Sequence, residues 1–181
     1  MPSLFDPVSR TPGPQSPAAP DEDTLRLARQ VFQCVRAGDV AALQPLLDRG
    51  LPPNLRNENG DTLLMLAAYH GWVDVTRALL LAGADPELAN DRGQTPLVGA
   101  AFKGFTGIVR VLLDHGAQVD GHGPDGRTAL MTAAMFNRLD VIEFLLERGA
   151  RADLRDATGL SAAEAARRMG ADDAAERLAQ G

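Results

Sequence analysis

Apolar and polar residues follow a pattern that recurs every 33 residues from about residue 24 onwards. Within each period two short apolar segments follow one another, and their apolar positions have the spacing of a helix with one buried face. The period is clearest in one leucine of the second segment, at Leu46, Leu79, Leu112, Leu145 and Leu178. A period of this length predicts structural units that stack on one another.

Each period also carries residues that favour the two ends of a short first helix. A hydroxyl residue, which can accept a hydrogen bond from the first free N–H groups of a helix, stands at Thr62, Thr95, Thr128 and Ser161. The predicted turn residues, which tolerate a left-handed backbone, are Gly71, Gly104, Asn137 and Gly170. A second helix is predicted over residues 75–80, 108–113 and 141–146. Each unit is therefore predicted to be a helical hairpin followed by a projecting loop.

Neither predicted helix is long enough to be stable alone, so neighbouring units have to cover each other. Alanine pairs occur where two units must come close, at residues 67–68, 100–101 and 133–134. Burying each leucine of the second helix contributes roughly 1.5–3 kcal/mol, and only the adjacent unit can bury it. The sequence therefore predicts an all-α solenoid of stacked hairpins.

These features resemble the ankyrin-repeat family, which has a 33-residue period and a Thr-Pro-Leu-His signature. The stretch most similar to that signature runs from Gly93 through Thr95, Pro96 and Leu97. The resemblance implies a capping repeat at 24–57, full repeats at 58–91, 92–124 and 125–157, and a second capping repeat at 158–181. The signature histidine is replaced by Met65, Val98, Met131 and Glu164. In the family this histidine helps to tie a loop to its neighbour, so we expect more loosely linked loops here.

Composition narrows the classes of function. The formal net charge is −6 and no broad basic face is indicated, which argues against binding to nucleic acid. The single cysteine, Cys34, cannot form an internal disulfide, and no apolar run is long enough to cross a membrane. We therefore expect a soluble, cytoplasmic monomer that binds neither nucleic acid nor membrane. Residues 1–23 contain six prolines and are predicted to be disordered, as a solvated leader rather than a polyproline docking motif.

The stretch GHGPDG at residues 121–126 fits the Gly-x-Gly-x-x-Gly pattern of dinucleotide-binding loops. A buried strand should precede that pattern, but here a helix and a turn precede it. Gly126 is the glycine that every unit has at this position, whereas Gly121 and Gly123 replace larger residues of the other loops. We therefore predict no nucleotide site and expect the 119–126 loop to be the most mobile one, because glycine loosens its backbone. No catalytic, metal or cofactor motif is present, so no cofactor is predicted.

Several aromatic residues cluster near the ends of the first helices. The resemblance implies that the two positions after each alanine pair lie on the concave side, which makes Tyr69, Phe102 and Met135 one apolar ladder. Aromatic residues on an exposed surface are typical of partner interfaces. The candidate partner-binding residues are Tyr69, His70, Phe102, Lys103, Met135 and Phe136, and at the loop tips Glu58, Asp61, Asp91, Arg92, Asp125 and Arg127. The alternative is that the rings complete the core, which we favour for Trp72 and Phe105.

The resemblance and the aromatic cluster together predict a non-catalytic module that binds another protein, as a scaffold, adaptor or inhibitor. Two alternatives remain open. The chain could be an accessory protein that protects or regulates a neighbouring enzyme, or a secreted effector that acts on host proteins. An independent enzymatic activity is the least favoured class.

Overall fold

A computed structural model describes residues 22–180, apart from the side chain of Thr24. Within that range ten helices form five consecutive hairpins. They are α1 (Glu22–Ala37), α2 (Val40–Asp48), α3 (Leu63–His70), α4 (Val73–Leu81), α5 (Pro96–Lys103), α6 (Thr106–Asp114), α7 (Ala129–Met135), α8 (Leu139–Glu147), α9 (Ala162–Met169) and α10 (Asp172–Ala179). The first helices of the hairpins pack side by side in chain order, and so do the second helices. The predicted all-α solenoid is thereby confirmed.

The predicted disordered segment, residues 1–23, lies outside the described residues except for Glu22 and Asp23. These two residues form the first turn of α1, where their negative charges favour the positive end of the helix dipole. Helix α1 is longer than the other first helices. It therefore begins before residue 24, where the first unit was expected to start.

The ends of the first helices form as the sequence predicts. The hydroxyl of Thr62 accepts a hydrogen bond from Met65 N at 3.1 Å, and Thr95 and Thr128 cap α5 and α7 in the same way. Gly71 follows α3 with a φ of 82°. Among the described residues, Asn137 is the only residue other than glycine that has a positive φ, 53°. The left-handed turn predicted for Asn137 is thereby confirmed, since the backbone conformation is kept although the glycine is lost.

The core lies between adjacent units, where the helices cover each other. Leu79, Leu112 and Leu145 are fully buried, and so are the three alanine pairs. Leu46 occupies the same position in the first unit but is only half-buried. Among the described residues the first unit has a neighbour on one side, which leaves its leucine partly accessible.

In each of three of the four projecting loops, one polar side chain accepts hydrogen bonds from the backbone of its own loop. The Oδ1 atom of Asn90 accepts hydrogen bonds from Arg92 N at 3.1 Å and from Gln94 N at 3.0 Å. Asn57 and Asp156 hold the backbone of their own loops in the same way. The third loop has Gly123 at this position and therefore lacks the side-chain acceptor.

Adjacent loops are linked by hydrogen bonds, but not equally. The first two loops share a buried bond from Asn90 Nδ2 to Asp61 Oδ1 at 2.8 Å and a backbone bond from Asp91 N to Asn59 O at 3.3 Å. The loss of the signature histidine therefore does not leave these loops unlinked. The corresponding donor in the third loop would be Pro124, which has no backbone N–H. The third loop instead lies so close to the second that a Cβ atom on Gly123 would overlap the carbonyl oxygen of Gly93.

Candidate functional site

The first helices α3, α5 and α7 bring three aromatic side chains into one row, which we call the aromatic row: Tyr69, Phe102 and Phe136. The rings of Tyr69 and Phe102 are stacked, with centroids 6.2 Å apart and planes 9° apart. Phe102 then meets Phe136 edge to face, with centroids 4.5 Å apart. The period explains the first pair, because equivalent residues of stacked units are neighbours. The second pair replaces the predicted contact with Met135, which lies half-buried beside it.

The aromatic row lies at the surface of the stack. Tyr69 is 41% exposed and Phe136 is 37% exposed, whereas the leucines between the units are fully buried. Lys103 Nζ lies 5.0 Å from the centroid of the Tyr69 ring, within the range of a cation–π interaction. The ring of His70 meets Tyr69 edge to face. The structure thus brings five of the six predicted concave residues into one connected cluster.

Three hollows follow one another beside the aromatic row, and together we call them the groove. The first hollow, about 350 Å³, lies between Tyr69 and Phe102, and the second, about 160 Å³, between Phe102 and Phe136. The third hollow, about 250 Å³, is lined by Arg127, Met135 and Arg168. Each hollow lies between two adjacent units. The hollows therefore recur once per unit along the stack.

The loop-tip residues are placed less uniformly than the sequence suggests. Arg92 lines the first hollow, Asp125 lines the second, and Arg127 lines the second and the third. Asp61 also reaches the first hollow, but it is only 8% exposed and its carboxylate is held by Asn90. The prediction of Asp61 as a free tip residue is therefore corrected, because the next loop covers it.

Two further tip residues lie apart from the hollows of the groove. Asp91 is exposed, and its carboxylate lies against Gly60 of the preceding loop. Glu58 lies beside Phe32 and Arg36 at a separate hollow of about 700 Å³ next to α1.

Trp72 and Phe105 lie at the corner between the two helices of a unit, as predicted, but they are not enclosed. Trp72 is 40% exposed, and its indole N–H donates a hydrogen bond to Arg36 O at 3.1 Å. A Cβ atom on Gly38 would lie 2.6 Å from its ring. Phe105 is half-buried and packs against the core, as predicted, and it also covers Gly71. The prediction that Trp72 belongs to the core is corrected: the ring covers the preceding turn from outside.

Two arginines of this region were missed by the sequence reasoning. Arg138 covers Gly104 and donates from Nε to Phe102 O at 3.1 Å, the same role that Trp72 has two units earlier. Arg168 occupies the position of Tyr69, Phe102 and Met135 in the last unit and lines the third hollow. The position of Arg168 could have been predicted from the 33-residue period, since residue 168 is one period after Met135.

Two carboxylates near the last hairpin are held by hydrogen bonds that lower their pKa. A hydrogen bond from the Thr158 hydroxyl, at 2.7 Å, lowers the pKa of Asp156, and bonds from two backbone N–H groups act in the same direction. The pKa of Glu164 is lowered chiefly by the backbone N–H of Ser161, within the capping box of α9. Both carboxylates are therefore ionised at neutral pH. In residues 22–180 no group of three or more His, Cys, Asp or Glu side chains has a metal-binding arrangement.

Across the described part of the chain no helix combines the length and the apolar composition that a membrane crossing requires.

Stacked helical hairpins with projecting loops define a helical repeat solenoid. Residues 31–121, 76–156 and 115–181 each match the family described as "Ankyrin repeats (3 copies)". The chain therefore belongs to the ankyrin-repeat family, as the sequence resemblance predicts. Ankyrin repeats generally mediate protein–protein interaction, and the family is generally non-catalytic.

A segment of 57 residues is 51% identical to PA3287 of Pseudomonas aeruginosa, a protein named as an ankyrin repeat protein. The match covers 32% of this chain and 33% of that relative. The chain thus matches about a third of the length of this relative. The similarity supports the repeat architecture.

Proposed function

We propose that this chain is a non-catalytic module that binds a protein partner in the groove and at the adjacent loop tips, as a scaffold, adaptor or inhibitor. The observation that carries the proposal is the aromatic row, three contacting rings that are kept partly accessible to solvent. Large rings of this kind bury much apolar area with few rotatable bonds, so they are frequent anchors of protein interfaces.

The hollows beside the row support the same proposal. The first hollow is lined by Met65 and Leu66 as well as by the rings of Tyr69 and Phe102, so an apolar side chain of a partner would be covered on several sides. Polar groups at its edge, such as Gln94, are available for hydrogen bonds. An apolar centre with a polar edge is the usual anatomy of a protein interface.

The proposal is tested with the variant Tyr69→Ala/Phe102→Ala/Phe136→Ala and with Leu81→Ala as a matched control. Leu81 is 74% exposed at the end of α4 and lies outside the groove. Proteins are captured from the native cell, identified by mass spectrometry, and then titrated in purified form by calorimetry. A true partner no longer binds the triple variant but still binds the control.

Circular dichroism and thermal melting accompany this test. We expect the triple variant to keep nearly the wild-type spectrum and melting temperature, because Tyr69 and Phe136 are exposed by more than a third. A variant that unfolds would show that the row is part of the core, and a partner that still binds the folded variant would place the interface elsewhere. Either result contradicts the proposal.

The proposal further assigns the chain to the cytoplasm, as a monomer that needs no cofactor and binds neither nucleic acid nor membrane. The formal charge of −6 disfavours attraction to phosphate-rich surfaces. Cell fractionation and light scattering of the purified chain test the location and the monomeric state. Recovery in the medium would instead favour a secreted effector.

A further inference from the structure

The arginines that line the groove have no ion-pair partner among the described residues. Six ion pairs occur among the described residues, and none of them includes a residue that lines the three hollows. Arg92, Arg127 and Arg168 all line the hollows, yet no described carboxylate lies within ion-pair distance of them. The Nε atom of Arg127 is buried and has no hydrogen-bond acceptor in the structure.

The carboxylates of the groove do not fill this need, because their own loops already hold them. Asp61 accepts from Asn90, and Asp125 accepts from Arg127 N at 3.1 Å. Asp156 accepts from the backbone of Thr158 and Leu160 and from the Thr158 hydroxyl. Arg127 helps to lower the pKa of Asp156, but no described carboxylate accepts a hydrogen bond from the guanidinium groups of Arg92, Arg127 or Arg168. Carboxylates bind such groups well.

The arginines are more numerous at one end of the groove, since Arg92 lines the first hollow whereas Arg127 and Arg168 line the third. Tyr69, Phe102, Met135 and Arg168 occupy the same position in successive units, so the series changes from aromatic to cationic along the stack. Arg127 joins Arg168 at the third hollow. We call these two residues the arginine end. An occupant that matches the groove has an apolar side chain at one end and acidic groups at the other.

We propose that the groove binds an extended acidic segment of a partner protein, with an apolar side chain between Tyr69 and Phe102 and a carboxylate at the arginine end. This inference rests on the proposed function. Neighbouring helices pack about 8–10 Å apart, and an extended chain advances about 3.3 Å per residue, so one unit corresponds to about three residues of the bound segment. The first and third hollows are two units apart, which sets the apolar and acidic residues about six positions apart.

The test is a selection of random peptides on the full, immobilised chain, followed by affinity measurements on synthetic copies of the enriched peptides. We expect enriched peptides to contain an aromatic or aliphatic residue and an Asp or Glu about six positions away. Their affinity should fall at higher salt, because the charge interaction is screened. Moving the acidic residue by three positions should weaken binding by about tenfold, since the carboxylate then misses the third hollow.

Variants of the arginine end provide the second readout. The variant Arg127→Gln/Arg168→Gln should weaken the selected peptides by about tenfold or more, as expected for the loss of charged hydrogen bonds. Arg167→Gln is the matched control, since Arg167 is an exposed neighbour on α9 that does not line the hollows. Arg168→Gln alone is included because Arg127 is half-buried and its loss could disturb the fold. Circular dichroism checks the fold of each variant.

The outcomes separate this inference from the proposed function. Enriched peptides that lack acidic residues but still need Tyr69 and Phe102 would overturn the inference and leave the proposed function intact. Peptides that bind the aromatic triple variant equally well would overturn both. If no peptide is enriched, or if an oligonucleotide occupies the arginine end more tightly than any peptide, the acidic segment is ruled out as the occupant.

Discussion

The helices and the loops of this molecule follow the same 33-residue period, but they use it differently. In the helices each period places the same residue type at the same buried position, as with Leu79, Leu112 and Leu145. In the loops the equivalent position holds Asn57, Asn90, Gly123 and Asp156. Apolar packing needs only a side chain of suitable size. A loop depends on one acceptor atom, so a single substitution removes several hydrogen bonds at once.

The largest effect is expected in the helices. Leu112→Ala should lower the free energy of unfolding by about 2–5 kcal/mol, because it leaves a cavity between two units. Leu81→Ala is the control in a second helix, where the leucine is 74% exposed. Urea unfolding monitored by circular dichroism measures both. Equal losses for the two leucines would show that burial between units does not stabilise the stack.

A loop substitution should cost less. Asn90→Ala should lower the free energy of unfolding by about 1–3 kcal/mol, because two loop N–H groups and the Oδ1 atom of the buried Asp61 lose their partner. His122→Ala changes an exposed side chain in the third loop and should have little effect. If the two variants unfold at the same urea concentration, the asparagine does not organise its loop.

The last loop should show a dependence on pH that the asparagine loops lack. The pKa of Asp156 is lowered in the folded chain. Its ionised carboxylate therefore stabilises the fold fully above the unfolded pKa of about 3.9, and this stabilisation is lost as the pH falls through the folded pKa. Asp156→Asn keeps an oxygen acceptor but does not titrate. The stability difference between wild type and this variant should therefore shrink in acid. Urea titrations at neutral and acidic pH measure it, and a constant difference would contradict the expectation.

The smallest effect concerns dynamics rather than stability. Residues 119–126 should exchange their amide hydrogens faster than residues 86–93, since the third loop has neither the side-chain acceptor nor the N–H donor that Pro124 replaces. Hydrogen exchange followed by mass spectrometry of matched loop peptides measures this. The close packing of Gly123 on Gly93 acts in the opposite direction. Equal rates in both loops would mean that this packing prevails.

The sequence predicted those structural features that depend on local residue chemistry or on the 33-residue period. Caps such as Thr62, the left-handed Asn137 and the buried leucines follow from residue type and position, and the period also brought Tyr69 next to Phe102. It did not predict which ring Phe102 meets next, because that depends on the direction of the Phe136 side chain at the end of α7. Nor did it predict the burial of Asp61, since the covering group, Asn90, belongs to another loop.

Three of the turn glycines are covered by side chains, which we call covers, and these contacts all run in one direction along the stack. Gly38, Gly71 and Gly104 are covered by Trp72, Phe105 and Arg138, and in each pair the cover comes from the following unit. Each cover therefore links the turn of one unit to the unit that follows it, so the loss of Trp72, Phe105 or Arg138 would expose a turn of the preceding unit.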